Sequence, residues 1–108
     1  MNYSGHWHIT EMELWDSDYL NMEVEAFIRI DADGNGEFQF GLVSGQINGE
    51  LVINQADERF EFTWEGNDEC DDASGSGWFI LKNKDLIEGR IKFHHGDSSK
   101  LVAKRITH

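Results

Sequence analysis

Apolar and polar residues alternate along most of this chain, and this period of two constrains the fold more than any other feature of the sequence. In the segment 59–65, aromatic residues occupy positions 60, 62 and 64, and polar residues lie between them. Successive side chains of a strand point to opposite faces of a sheet, so this pattern is typical of a strand with one buried face. No long window has the helical spacing of apolar residues, and we expect little helix.

Turn-forming residues separate the alternating segments. The segment 31–36 is rich in Asp and Gly, and Asn48-Gly49 is a strong hairpin signal because both residues accept a positive φ. We predict eight strands, at 5–13, 22–30, 37–47, 50–54, 59–65, 77–82, 86–94 and 99–106. Eight short antiparallel strands fit an all-β, up-and-down β-barrel, which leaves no free edge, and a two-sheet β-sandwich is the alternative. The 108 residues are expected to form a single domain, 1–108.

The barrel interpretation turns the apolar face of each strand inward. The residues predicted to point inward are Trp7, Ile9, Val24, Ile28, Ile30, Phe38, Phe40, Leu42, Leu51, Ile53, Phe60, Phe62, Trp64, Trp78, Ile80, Ile87, Ile91, Phe93, Leu101 and Ala103. The interior of an eight-stranded barrel is wide enough for side chains or for one small ligand. Because so many of these side chains are bulky, we expect a filled lumen and a ligand site at a rim.

Two motifs at the ends of the chain carry a resemblance. The first predicted strand contains Gly5-His6-Trp7, and the last contains Lys104-Arg105. This resembles lipocalin-like (calycin) barrels, in which the Trp of a G-x-W motif packs at the barrel base beneath a basic residue of the last strand. The chain length is nearer to that of avidin-like barrels. The segments 12–16 and 62–69 also resemble a small family of bacterial proteins of unknown role, which implies no function.

The charge of the chain bears on its partners. There are 21 acidic and 9 basic residues, and the net charge is −12. Such a surface repels phosphate backbones and anionic membranes, so we expect neither nucleic acid nor a membrane as a partner. The first residues lack the basic and apolar regions of a signal peptide, and we expect a cytoplasmic protein. Cys70 is the single cysteine, which excludes an internal disulfide.

The connections of a meander alternate between the two ends of a barrel. With the predicted boundaries, the segments 14–21, 46–50, 66–76 and 95–98 share one end, which we call the long-loop end. Long loops on a rigid scaffold often carry function. The candidate ligand-binding residues at this end are Trp15, Asp16, Asp18, Tyr19, Asn67, Asp68, Asp71, His94, Asp97 and Ser98. Their carboxylates and aromatic rings suit a cationic or polyhydroxyl ligand.

One turn resembles a calcium loop in part. Asp31, Asp33 and Asn35, followed by Gly36, match positions 1, 3, 5 and 6 of an EF-hand loop, which makes these three residues candidate Ca²⁺ ligands. Position 12 is Leu42 where the motif requires Glu, and a strand pattern follows. We therefore interpret the segment as a hairpin turn, and no cofactor is expected.

These observations favour a non-enzymatic binding module whose small-molecule or protein ligand meets the long-loop end. His94, Asp97 and Ser98 are too close along one turn to act as base, orienting acid and nucleophile. One alternative is a structural protein that self-assembles through Trp15, Tyr19 or an open seam beside a short fourth strand. The other is a small metal-dependent protein or enzyme that uses the acidic loops. The sequence leaves open whether the chain is a monomer or a homo-oligomer.

Overall fold

The computed structural model describes residues 2–55 and 57–106, which form one closed barrel. The strands are β1 (Gly5–Met12), β2 (Phe27–Ile30), β3 (Asn35–Phe40), β4 (Val43–Asn54), β5 (Asp57–Asp68), β6 (Asp71–Asn83), β7 (Leu86–Phe93) and β8 (Ser98–Arg105), and the helix α1 is Ser17–Leu20. Each strand pairs antiparallel with the next, and β8 pairs with β1. The predicted all-β, up-and-down barrel is confirmed, and the sandwich alternative is wrong.

The turn between β3 and β4 lies seven residues earlier than Asn48-Gly49. Asn48 and Gly49 lie within β4, opposite Thr63 and Phe62 of β5. The chain reverses instead at Gly41 and Leu42, where Gly41 has a φ of 56°. A Cβ at this glycine would overlap the ring of Tyr19. The hairpin signal at Asn48-Gly49 was misleading because Gly49 is needed for space: a Cβ there would overlap the ring of Phe60.

The predicted long loop at 66–76 is also absent, because β5 and β6 continue through it. Asp68 pairs with Asp71, and only Glu69 and Cys70 join the two strands. Glu69 has a φ of 59°, which a tight turn requires. The glycines of this segment allow the neighbouring strands to approach closely: a Cβ at Gly66 would overlap the carbonyl of Ser44.

The lumen of the barrel is filled by side chains, as its predicted contents suggest. The core consists of Tyr3, Trp7, Ile9, Met12, Leu20, Ala26, Ile28, Ile30, Phe38, Phe40, Val43, Ile47, Phe60, Phe62, Trp64, Phe79, Ile87, Ile91, Leu101 and Ala103. At the centre, aromatic rings pack together: Phe62 and Phe79 are tilted with ring centroids 4.8 Å apart, and Phe38 and Trp64 meet edge to face at 5.1 Å. The space among them holds no water-sized volume.

Several residues predicted to point inward do not. Trp78 and Ile80 lie on the outer face, because their neighbour Phe79 faces the core and pairs with Phe60. A shift of one residue in the alternation exchanges the two faces of a strand. For β6, the sequence interpretation assigned the inward and outward faces the wrong way round. Leu42 lies half-buried in the turn that precedes β4.

Three further residues predicted to point inward are exposed. Val24 is 43% exposed and precedes β2. Leu51 and Ile53 are 37% and 68% exposed, since this part of β4 extends beyond the end of β3. Burial therefore ends where a strand loses its neighbour, which the alternation alone does not show.

The base of the barrel is closed by Trp7 and Arg105. Trp7 is fully buried, and its Nε1 donates a hydrogen bond of 2.9 Å to the carbonyl of Tyr3. The guanidinium carbon of Arg105 lies 4.2 Å from the centroid of the Trp7 ring. Arg105 also donates hydrogen bonds to the carbonyls of Asn2 and Ser4, at 2.7 and 2.8 Å. A basic residue of the last strand thus covers the Trp of the first, as the resemblance implies.

Arg105→Ala should lower the free energy of unfolding by about 2 kcal/mol, because it removes a cation–π contact and charge-assisted hydrogen bonds. Urea denaturation followed by Trp fluorescence measures this loss. Lys104→Ala is the matched control, since Lys104 is exposed and points to solvent. Equal effects of the two substitutions would contradict the role assigned to Arg105.

Tyr3 gives the base a pH dependence. Its ring stacks on Phe60 at 5.7 Å, and its hydroxyl oxygen accepts a hydrogen bond of 3.2 Å from the Leu81 amide. Burial raises the pKa of the Tyr3 phenol above its usual value of 10.0. A raised pKa means that the folded state binds the phenol proton more tightly than the unfolded state does. Tyr3 therefore stabilises the folded state fully at pH values below the pKa of the unfolded state, and this stabilisation is lost as the pH rises through the pKa of the folded state.

We therefore expect the free energy of unfolding to fall more steeply above about pH 10 in the wild type than in Tyr3→Phe. Urea denaturation at a series of pH values between about 8 and 11 measures the two slopes. Identical slopes would show that Tyr3 is not the group responsible.

Candidate functional site

The long-loop end is covered by the segment between β1 and β2. The ring centroid of Trp15 lies 5.2 Å from that of Phe40 and 6.0 Å from that of Phe93. Trp15 also stacks on Tyr19 at 6.1 Å. Asp16 is the N-cap of α1, where its side chain accepts a 3.0 Å hydrogen bond from the Tyr19 amide. Trp15 and Tyr19 therefore cap the core, with part of each ring at the surface.

The acidic candidates lie at the same end without enclosing a cavity. Asp68 and Asp71 face each other across the β5–β6 turn, and Asn67 lies opposite Asp72 on the next rung. Asp18 is exposed on α1. The meander thus brings these residues to one pole of the barrel, where each carboxylate points into solvent.

The turn between β7 and β8 shows no arrangement of nucleophile and base. Ser98 Oγ accepts a 2.8 Å hydrogen bond from Arg90 Nη1, and the Asp97 carbonyl accepts one of the same length from the Phe93 amide. The ring of His94 lies beside that of His95, with centroids 4.0 Å apart. Asp97 and Ser98 therefore organise the turn.

The candidate calcium ligands are engaged within their own turn. Asp33 Oδ1 accepts a 3.0 Å hydrogen bond from the Asn35 amide, and Asp31 Oδ1 accepts one of 3.2 Å from Arg29 Nε. Gly34 supplies the positive φ, at 92°. These contacts are those of a hairpin turn. Within residues 2–55 and 57–106, no group of three or more His, Cys, Asp or Glu side chains is placed to hold a metal ion.

A shallow groove on the outer face of β4–β7 was missed by the sequence interpretation. We call it the outer groove. Its centre is lined by Asn48, Thr63, Ser76 and Lys92, one side continues to Glu61, Trp78 and Arg59, and the other continues to Glu65, Ser74, His94, Asn67 and Asp72. It therefore reaches two of the predicted site residues, Asn67 and His94. Its signal in the sequence is the run of Ser and Gly at 74–77 beside Trp78.

Small side chains create the outer groove. On β6, Ser74 and Ser76 point outward and alternate with Gly75 and Gly77. Both glycines are required by close packing, because a Cβ at Gly75 would overlap the carbonyl of Lys92, and one at Gly77 would lie 2.5 Å from the carbonyl of Arg90. Short side chains between longer rows leave a depression along the strand.

The neutral polar side chains of the outer groove are free to bind a ligand. In the described part of the chain, Asn48, Thr63, Ser74 and Ser76 make no side-chain hydrogen bond. Hydroxyl and amide groups each offer both donors and acceptors. A line of such groups in an open groove suits a ligand that is itself rich in hydroxyls.

Four cationic side chains lie on the outer surface, in the groove or next to it. We call these residues the cationic row: Arg59, Arg90, Lys92 and Lys100. The Arg59 guanidinium lies 4.5 Å from the Trp78 ring centroid. Trp78 pairs with Arg90, which in turn pairs with Lys100. At a strand spacing of about 4.8 Å, the row from β5 to β8 spans about 14 Å.

Among the described residues, the cationic row is not held by salt bridges, although the chain is strongly acidic and Glu61 lies opposite Trp78 on the same rung. Elsewhere Arg29, Lys82 and Arg105 form salt bridges with Asp or Glu. Within residues 2–55 and 57–106, no member of the row forms one. Like charges directly opposite each other on neighbouring strands, such as Arg90 and Lys100, repel and destabilise the sheet. An anionic ligand would remove this repulsion.

The fold and this surface define a small, filled, closed eight-stranded antiparallel barrel with a polar groove on its outer face. No protein-family model, curated protein or solved structure matches the chain. None of the helices among the described residues has the length and apolar character needed to cross a membrane.

Trp15→Ala should lower the free energy of unfolding by about 2–3 kcal/mol, because the ring packs on Phe40 and Phe93 at the end of the core. Chemical denaturation measures the change. Asp18→Ala is the control, since Asp18 is an exposed residue of the same segment and its loss should change stability by less than about 0.5 kcal/mol. Unchanged stability of Trp15→Ala would instead favour a purely ligand-binding role for this ring.

Proposed function

We propose that this protein is a non-enzymatic binding module and that its ligand lies along the outer groove. The observation that carries the proposal is the juxtaposition of free hydroxyl and amide side chains with unpaired cations. This combination matches an extended polyhydroxyl chain that bears carboxylates, that is, an acidic oligosaccharide. The long-loop end then contributes through Asn67 and His94, which line one end of the groove.

The shape of the groove supports an extended ligand. Its three sections share residues: the first two share Asn48, Thr63, Ser76 and Lys92, and the last two share Glu65, Ser74 and His94. The depression is therefore continuous along β5 and β6. A chain of several sugar units can contact it over its whole length, whereas a compact ligand would leave most of the groove empty.

Two cations support an acidic rather than a neutral chain, although Glu50, Glu61, Glu65 and Asp72 also line the groove. Lys92 contributes an ammonium group at the centre of the groove, and Arg59 presents guanidinium donors above Trp78. Carboxylates bind strongly to such cations when several contacts are made together. Glu61, beside Trp78, and Glu65, on the other side of the centre, can accept hydrogen bonds from sugar hydroxyls.

The resemblance to calycin barrels is retained as part of the proposal, supported by the packing of Arg105 over Trp7. Calycin-like barrels imply ligand binding in a lumen, but the filled core of this chain leaves no such space. We therefore assign binding to the outer surface. A cytoplasmic location is also proposed, since the exposed Cys70 suits a reducing compartment.

The proposal is tested by titrating the ¹⁵N-labelled protein with a hexamer of galacturonic acid and with a neutral glucose hexamer of the same length. We expect the amides of β5, β6 and β7 that line the groove to shift with the acidic hexamer. The neutral hexamer should bind at least about tenfold more weakly, a difference of about 1.4 kcal/mol. Affinity for the acidic hexamer should also fall as salt is raised, since exposed charges are screened.

Matched variants separate the groove from the rest of the surface. Lys92→Ala and Trp78→Ala should each weaken binding of the acidic hexamer about tenfold. Phe27→Ala is the control for Trp78, because Phe27 is another half-buried aromatic residue on the outer face, on β2 at the far side of the barrel. Absence of binding by either hexamer at millimolar concentration would overturn the proposed ligand class.

A further inference from the structure

The hairpin of β4 and β5 extends past the rest of the barrel, so both edges of its tip are open: a longer stretch on β4 and a shorter one on β5 before Phe60. Pairing between β3 and β4 stops at Asn35 and Asn48, and the last bond on that side runs from the Gly49 amide to the Gly34 carbonyl, at 2.9 Å. Pairing between β4 and β5 continues to Asn54. We call the residues Glu50–Asn54 the edge segment, because they have a neighbouring strand on one side only.

The edge segment has the properties of an association site. Ile53 is 68% exposed and Leu51 is 37% exposed, which makes Ile53 the most exposed large apolar residue of the described chain. Natural proteins protect open edges with Lys, Pro or a covering loop. The edge segment contains neither Lys nor Pro, and no strand of the described residues pairs with its open side.

The free backbone groups of this edge belong to Leu51 and Ile53. Phe40 and Val43 flank a two-residue turn, so the backbone of Val43 is hydrogen-bonded to β3. The backbone N–H and C=O groups of every second residue of β4, counted from Val43, therefore point to the same side. The bond from Gly49 to Gly34 confirms this phase at the end of β3. By the same alternation, the amides and carbonyls of Leu51 and Ile53 point to the open side.

We propose that the edge segment pairs antiparallel with the edge segment of a second copy, about a two-fold axis at Val52. In this register Leu51 lies opposite Ile53 of the second copy, and the reverse pair forms by symmetry. The two pairs exchange four hydrogen bonds, which satisfy all the free groups of both residues. The four apolar side chains lie on one face of the resulting four-stranded ribbon, on the side of Phe60.

The same register fits a second copy electrostatically. Glu50 lies opposite Asn54 of the second copy, so the two Glu50 carboxylates do not meet. An acidic residue at position 54 would instead lie opposite Glu50 of the second copy, and two like charges in such a pair destabilise a sheet. The net charge of −12 on each copy opposes association, so the dimer is expected to be weak and to be strengthened by salt. A contact of five residues from each copy is smaller than a standard interface and belongs with weak, transient contacts.

Sedimentation velocity between about 20 µM and 1 mM in 0.5 M NaCl should show a monomer–dimer equilibrium for the wild type. Ile53→Pro should remain monomeric throughout, because proline removes an amide that points to the open edge and that makes no bond within the hairpin. Ile53→Thr is the control: it retains the amide and the β-branched side chain, and it should still dimerise, less tightly. A wild type that stays monomeric at 1 mM overturns the proposal.

Cysteine cross-linking in a Cys70→Ser background tests the register without depending on affinity. Val52→Cys should form a disulfide-linked dimer under mild oxidation, because facing residues in a non-hydrogen-bonded pair lie about 4.5 Å apart, within disulfide range. Glu50→Cys and Asn54→Cys should each fail alone and cross-link when mixed. Cross-linking of Glu50→Cys with itself would place the axis elsewhere and overturn the proposed pairing. This inference is independent of the ligand of the outer groove.

Discussion

Hydrogen bonding between β1 and β8 closes the sheet, and the remaining structure depends on this closure. It places Trp7 of the first strand directly opposite Arg105 of the last, so that the guanidinium covers the indole at the base of the barrel. The same contact holds the N-terminal residues through their carbonyls. Since a closed meander has no edge along its shared length, the barrel is protected from strand exchange except where one hairpin is longer than its neighbours.

The filled lumen directs the proposed binding to the outer surface. Aromatic rings from β3, β5 and β6 fill the interior, where no water-sized space remains among them, and Trp15 and Tyr19 cover the long-loop end. The outer face of β4–β7 is different, because its side chains are small and polar and its glycines allow close strand packing. The groove and the packed core have one origin: β6 directs Phe79 inward and presents Ser74, Ser76 and Trp78 outward.

The distribution of charge matters more than its sum. The net charge of −12 predicts repulsion of anionic partners, yet the cationic row lies together on β5, β7 and β8, and within residues 2–55 and 57–106 none of its members forms a salt bridge. These cations are scattered along the sequence between positions 59 and 100. Only the pairing of β6 with β7 and of β7 with β8 brings them into a row beside Trp78. This cluster of cations on an acidic protein is therefore visible in the fold and invisible in the composition.

The alternation of the sequence by itself determined the all-β class and the number of strands, favoured the barrel over the sandwich and indicated most of the core, because a period of two with one polar face leaves few alternatives. The G-x-W motif and the basic end of the chain also indicated the closure at the base. The tertiary structure alone decided the phase of β6, the turn at Gly41 and Leu42, the continuation of β5 and β6 through 66–76, and the open edge at Leu51 and Ile53. The physical reason is that glycine serves two purposes. Glycine allows a turn, and within a strand it allows a neighbouring backbone or ring to approach closely. Only the residues across the sheet decide which of these two purposes a given glycine serves.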